Sequence, residues 1–206
     1  MPESVLQSAP EESPARTADV YRAAAELMLE KGYGGTSIGD IAQTVGMTKA
    51  GLYYHISSKQ GLLYQILTHC LDLLNRVVLT PVRLIEDPEE RLRQVIRLNI
   101  QGQVEHGLTF TLLFRERVHL PPEQSKEIQG RIKEFHGMIR ETLQELADSG
   151  RLRSLDLDIA TMLTMSAITS ISRWKKLNYQ DFTIDVEHLI QETVAYSIAA
   201  LLKPEP

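Results

Sequence analysis

Proline placement constrains this chain most. After Pro14 come Pro81 and Pro88, then the pair Pro121-Pro122, and then none until Pro204. A proline inside a helix removes a hydrogen bond and clashes with the preceding turn, at about 3 kcal/mol, so prolines collect at helix boundaries. The long blocks between them carry apolar residues at helical spacing and lack the period-2 alternation of half-buried strands. The sequence predicts an all-α protein of about nine helices.

Residues 1–14 read as a disordered tail. A first helix is predicted over Ala15 to Lys31, with Val20, Ala23, Ala24, Leu27 and Met28 on one face and Gly32 as its cap. Ser37-x-x-Asp40 is a capping box for a short helix that ends at Gly46. Thr48 suits the N-cap of the next, Lys49 to His55; Ser57-Ser58 caps a longer helix reaching about Leu79, with Ser57-x-x-Gln60 as a second capping box. Asp87-Pro88 marks another start. That helix is expected to stop at Gly107, with a shorter one over Leu108 to Val118. After Pro122 a stripe of Ile128, Ile132, Phe135, Ile139, Leu143 and Leu146 predicts a long amphipathic helix ending near Gly150. Two more are expected, over Asp156 to Leu177 and Ile184 to Lys203.

The stretch Ser37 to Lys59 carries the chemistry. Two short capped helices separated by Val45-Gly46-Met47 form a helix-turn-helix layout. The second helix of such a unit presents its N-terminal residues to base edges in the major groove. Ser37 and Thr48 offer hydroxyls to caps and phosphates. Lys49 is the long donor at the start of the recognition helix and the candidate for base contact. Ala50 and Gly51 are small enough for close approach, Tyr53 and Tyr54 add hydroxyls and flat faces, His55 a donor, and Lys59 a phosphate contact.

From Arg16 to Leu63 the sequence resembles the N-terminal domain of TetR-family transcriptional regulators. The resemblance rests on Ala23-Ala24, Gly32, Thr36-Ser37, Asp40-Ile41-Ala42, Gly46-Met47-Thr48, Leu52-Tyr53-Tyr54-His55 and Ser58-Lys59 followed by Leu62-Leu63. Met28 and Ile56 stand where phenylalanine is common in the family. Gly39 leaves the first helix of the unit without a base-reaching side chain. The resemblance implies a helix-turn-helix domain over 15–60 and a helical ligand-binding and dimerisation domain over 61–206. It also implies a homodimer that places two recognition helices about 34 Å apart on a near-palindromic operator, and repression as the usual mode. The last two helices of each subunit would form the interface, with apolar surface from Ile159, Met162, Leu163, Ile168 and Ile171 on one and Val186, Leu189, Ile190, Val194, Ile198 and Leu201 on the other.

Phe110, Phe114, Met162, Met165 and Trp174 are candidates to line an apolar effector cavity, with His106 and Thr109 as its polar groups; the competing reading is ordinary core. Leu113-Phe114-Arg115-Glu116-Arg117 with Leu120-Pro121-Pro122 and Arg173-Trp174 resembles strings in TetR-like regulators of fatty-acid, sterol or aromatic-acid degradation. Some of those sense acyl-CoA thioesters. Arg115, Arg117 or Arg173 would then meet an anionic group.

Charge narrows the classes further. The chain carries a net −5, but Pro14 to Lys59 holds five basic residues against four acidic ones. The acidity belongs to the tail and the larger domain, and the near-neutral module predicts few phosphate ion pairs per subunit and a shallow salt slope. Cys70, the lone cysteine, excludes an intrachain disulfide and the common cysteine zinc sites. The six histidines show no metal-binding spacing, and neither a phosphate loop nor a nucleophile–base signature is present. No cofactor, no metal and no catalysis are expected. With no signal peptide and no membrane span in view, a cytoplasmic protein is expected. The competing reading is a helical protein–protein adaptor, or a small-molecule-binding protein without specific DNA binding.

Overall fold

A computed structural model describes residues 14–170 and 185–204. Among them the chain is helical: α1 (Pro14–Gly35), α2 (Ile38–Thr44), α3 (Lys49–His55), α4 (Lys59–Leu74), α5 (Pro88–Glu116), α6 (Pro122–Asp148), α7 (Leu157–Thr169) and α8 (Val186–Leu201). Residues 1–13 of the predicted 1–14 tail, and 171–184 with the predicted end of one helix and the first residue of the next, lie outside the described residues; Pro14 opens α1.

The predicted caps account for most boundaries. Gly32 turns the end of α1 with φ 76°. Ser37 accepts from the Asp40 amide while the Asp40 carboxylate accepts from Ser37 N–H, a reciprocal box. Two expectations change. Of the Ser57-Ser58 pair Ser58 caps α4, accepting from Gly61 N–H, and in place of a Ser57–Gln60 box the Gln60 side chain donates to the His119 carbonyl at 3.1 Å. α4 also continues past Leu74 through a π-turn, Asn75–Leu79, into Thr80–Val82. The wider turn falls where Pro81 supplies no amide hydrogen. The break expected at Gly107 falls one residue earlier, at His106 (φ −126°, ψ 23°), where two helical pieces meet within Pro88–Glu116.

α1, α2, α3 and the start of α4 enclose a small core of Ala24, Met28, Ile41, Ala42, Leu52, Ile56 and Leu63. Met28 and Ile56 are both buried there, filling the positions where the family prefers phenylalanine. α4 continues into the larger body, where Leu67, Leu71 and Leu74 meet Leu92, Ile96 and Ile100 of α5 and the α6 stripe. Lys59–Val82 is long and apolar enough to cross a membrane, and over half of its apolar window is buried in this core. Asp87 caps α5 and accepts from Arg151, which also donates to Glu89, so the turn after α6 is tied to the start of α5. The chain end returns to the same turn: Arg153 N–H donates to Leu201 O and Lys203 N–H to Arg151 O.

Candidate nucleic-acid interface

The helix-turn-helix is closed by backbone bonds. Gly46 adopts φ 66°, a conformation without strain for glycine, and Met47 N–H donates to Ala42 O at 2.8 Å. Thr48 Oγ1 accepts from Gly51 N–H at 3.0 Å and starts α3. Leu52 and Ile56 then point into the core. Helical spacing therefore turns Lys49, Ala50, Tyr53 and Tyr54 outward; Tyr53 is 54% exposed and Tyr54 76%. The side chain of His55 lies outside the described residues.

A groove of about 400 Å³ runs beside this face, lined by Gly34 to Gly39, Lys49, Tyr53 and Lys59. It brings together Ser37, Lys49, Tyr53 and Lys59 from the predicted set. Lys49 lies across Gly39, where a Cβ would stand 2.5 Å from its Cε. Gly39 thus contributes the space that the lysine occupies, a role sequence reading does not see. The Asp40 carboxyl is held below its usual range, chiefly by Ser37 N–H, so the capping box carries a negative charge at the groove's edge.

Lys59, expected at a phosphate, is engaged within the chain. Its ammonium donates to the carbonyls of Tyr33 (2.8 Å) and Thr36 (2.9 Å) and lies 4.3 Å over the Tyr33 ring. Two of its three hydrogens hold the turn between α1 and α2.

The predicted effector residues divide. Phe110 and Met165 line an interior cavity of about 20 Å³, with Leu71, Asn99, Gln103, Phe135 and His136. Gln103 donates to Asn99 Oδ1 at 2.6 Å and to Ile168 O at 2.7 Å. Burial lowers the His136 pKa. These polar groups were missed because single polar residues on apolar helices carry no distinctive spacing. His106 faces solvent at the kink, Met162 is exposed, and Arg115 turns away to donate to Leu29 O and pair with Glu116. The side chains of Thr109 and Phe114, and the whole of Trp174, lie outside the described residues.

The predicted dimer residues are also redistributed. Ile168, Ile190, Val194, Ile198 and Leu201 are buried within the chain's own core, and Leu189 packs against it half-buried. Core packing claims them because α7 and α8 both lean on α5. Ile171 lies outside the described residues. The large apolar side chains that face outward on these helices are Ile159, Met162 and Leu163 on α7, and Val186 and Tyr196 on α8.

A capped two-helix unit with an open second helix, set on a helical body with a small and mainly apolar interior cavity, defines a helix-turn-helix regulator. Residues 20–66 match the model of bacterial regulatory proteins of the tetR family, and residues 86–177 match that of the tetracyclin repressor-like C-terminal domain. The chain belongs to the TetR family of transcriptional regulators. It is 26% identical over 139 residues to the biofilm operon icaADBC negative transcriptional regulator IcaR of Staphylococcus aureus, covering 68% of this chain and 73% of IcaR. Against the transcriptional repressor KstR2 of Mycobacterium tuberculosis, identity is 24% over 162 residues, 77% of this chain and 80% of KstR2. The structure of AibR in complex with isovaleryl coenzyme A and operator DNA superposes with a TM-score of 0.79 at 29% identity, over 88% of this chain and 97% of AibR. Apo AibR gives 0.75 at 30% over the same shares.

Proposed function

We propose that this protein is a repressor that binds a near-palindromic operator as a homodimer through α3 and releases it on binding an apolar or acyl-CoA-type effector. The observation that carries the reading is the near full-length likeness to AibR, a protein seen with both operator DNA and an acyl-CoA. Lys49, with Tyr53 beside it, is the base-reading group. Ser37, Thr48 and the α3 amides contact phosphate, and Ala50 and Gly51 allow the approach.

Ile159, Met162, Leu163 and Tyr196 are outward apolar side chains that support pairing through α7 and α8. An interior of about 20 Å³ holds little more than one water, so an acyl chain enters only as the helices around Phe110 and Met165 part. A ligand that binds the parted state more tightly shifts the population away from the DNA-binding state. Both Gln103 amide hydrogens are engaged, so the N–H groups of Asn99 and His136 are the donors proposed for a thioester or carboxyl oxygen.

The experiment is selection of an operator from random DNA with the full-length protein, followed by titration of the complex with isovaleryl coenzyme A and longer acyl-CoAs. Release by an acyl-CoA supports the reading. A specific operator that no acyl-CoA releases removes the effector class and leaves the DNA-binding function standing.

A further inference from the structure

The turn between α1 and α2 is gripped from both domains. From within, Thr36 is buried and its hydroxyl donates to Leu27 O (3.0 Å) and Gly32 O (2.9 Å), while Lys59 closes the turn over the Tyr33 and Thr36 carbonyls. From the larger domain, the His119 imidazole stacks on the Tyr33 ring at 4.6 Å with 15° between planes. Gln60 donates to the His119 carbonyl, and Arg115 donates to Leu29 O on α1. His119 is also 3.3 Å from the carboxylate of Glu116, a buried acidic residue.

We infer that Tyr33, Lys59 and His119 form a clamp through which the end of α5 sets the position of the recognition module. They are positioning residues that act on operator affinity without touching DNA. The turn they hold leads directly into Ser37 and the groove containing Lys49. The gripping segment is also placed to sense the interior. Phe110 and Leu113 line the cavity, both follow the kink at His106, and Arg115, Glu116 and His119 continue from them. A displacement of Phe110 that opens the interior moves His119 against Tyr33. The inference rests on α3 being the DNA-reading helix, and its test has one readout that needs no DNA.

The full-length variants are His119→Ala, Tyr33→Leu, the double, and Lys59→Met. Amide exchange over residues 34–37 and affinity for a selected operator are measured for each, with melting temperature and dimer mass as controls. His119→Ala and Tyr33→Leu should each speed exchange of these amides and weaken operator binding by roughly tenfold, with the fold intact. The double should be no worse than the larger single, because both act through one contact. Lys59→Met should weaken binding without changing the salt slope, whereas a phosphate contact would lower that slope by about one. Unchanged exchange in His119→Ala, multiplying effects in the double, or a reduced slope for Lys59→Met overturns the clamp. If the wild-type protein selects no operator, the DNA reading fails and the exchange result still decides whether His119 holds the turn.

Discussion

Lys49 occupies the space that the missing side chain of Gly39 leaves. A Cβ at 39 would stand 2.5 Å from Lys49 Cε and 3.1 Å from Nζ. Gly39 sits inside α2, where alanine is favoured by about 0.5–1 kcal/mol. Gly39→Ala should therefore raise stability in urea unfolding by about that amount while displacing the lysine. Operator affinity, measured by anisotropy, should fall. A more stable variant with unchanged affinity would show that the resting position of Lys49 has no bearing on binding.

The outward apolar face predicts an assembly defect. Met162 and Leu163 are each nearly 60% exposed on α7. Leu163→Glu places a charge there and should shift the protein from dimer to monomer in sedimentation, with operator binding lost and helix content retained. A dimer that persists in Met162→Glu/Leu163→Glu would move the interface elsewhere.

His136 gives a pH dependence with a definite sign. Burial lowers its pKa in the folded protein below the ordinary 6.5. The unfolded chain therefore takes up the proton first, and stability falls as pH drops from about 6.5 toward the lowered folded value. Urea midpoints compared between pH 7.5 and 5.5 should fall for the wild-type protein and change less for His136→Gln. Equal changes in the two would place the titration on other groups. Carboxylates such as Asp87 and Glu89 act lower, because their folded pKa values lie below 3.8 and 4.5 and their stabilisation is lost only as pH falls through those values.

Cys70 is fully buried on α4, and its thiol is pushed up to about 12 by desolvation. Iodoacetamide labelling of the native protein at pH 8 should be slow and limited by opening of the core, then rapid in denaturant. Fast native labelling would mean that α4 separates readily from α5 and α6.

The local fold was legible where one residue decides it. Gly32 and Gly46 have positive φ, Ser37 and Thr48 cap α2 and α3, and Asp87 caps α5, all read from residue type and spacing. The break read at Gly107 falls at His106, and the packing of Phe110, Leu112 and Leu113 holds the helical piece beyond it. Residue type and spacing do not show where tertiary contacts go. Sequence does not show that two carbonyls from the preceding turn meet the Lys59 ammonium, which leaves one hydrogen for the phosphate contact expected of it. An apolar stripe cannot say which neighbour covers it, so Ile168, Ile190, Val194, Ile198 and Leu201 were assigned to a partner although their own chain buries them. For the same reason the placing of Asn99, Gln103 and His136 at the cavity is not legible, while the exposure of Lys49, Tyr53 and Tyr54 agrees with the helix-turn-helix layout read from the caps and Gly46.

The proposed reading of DNA by α3 through Lys49 makes the sequence preference of the protein depend on that side chain. Operators are selected from random DNA with the wild-type protein and with Lys49→Ala. Wild type should recover two related half-sites one helical turn apart, centred about 34 Å from each other. Lys49→Ala should lose about 1–3 kcal/mol against that operator and relax the preference at one symmetric pair of positions. An operator bound with the same affinity and the same preference by Lys49→Ala, its fold intact, would contradict the account.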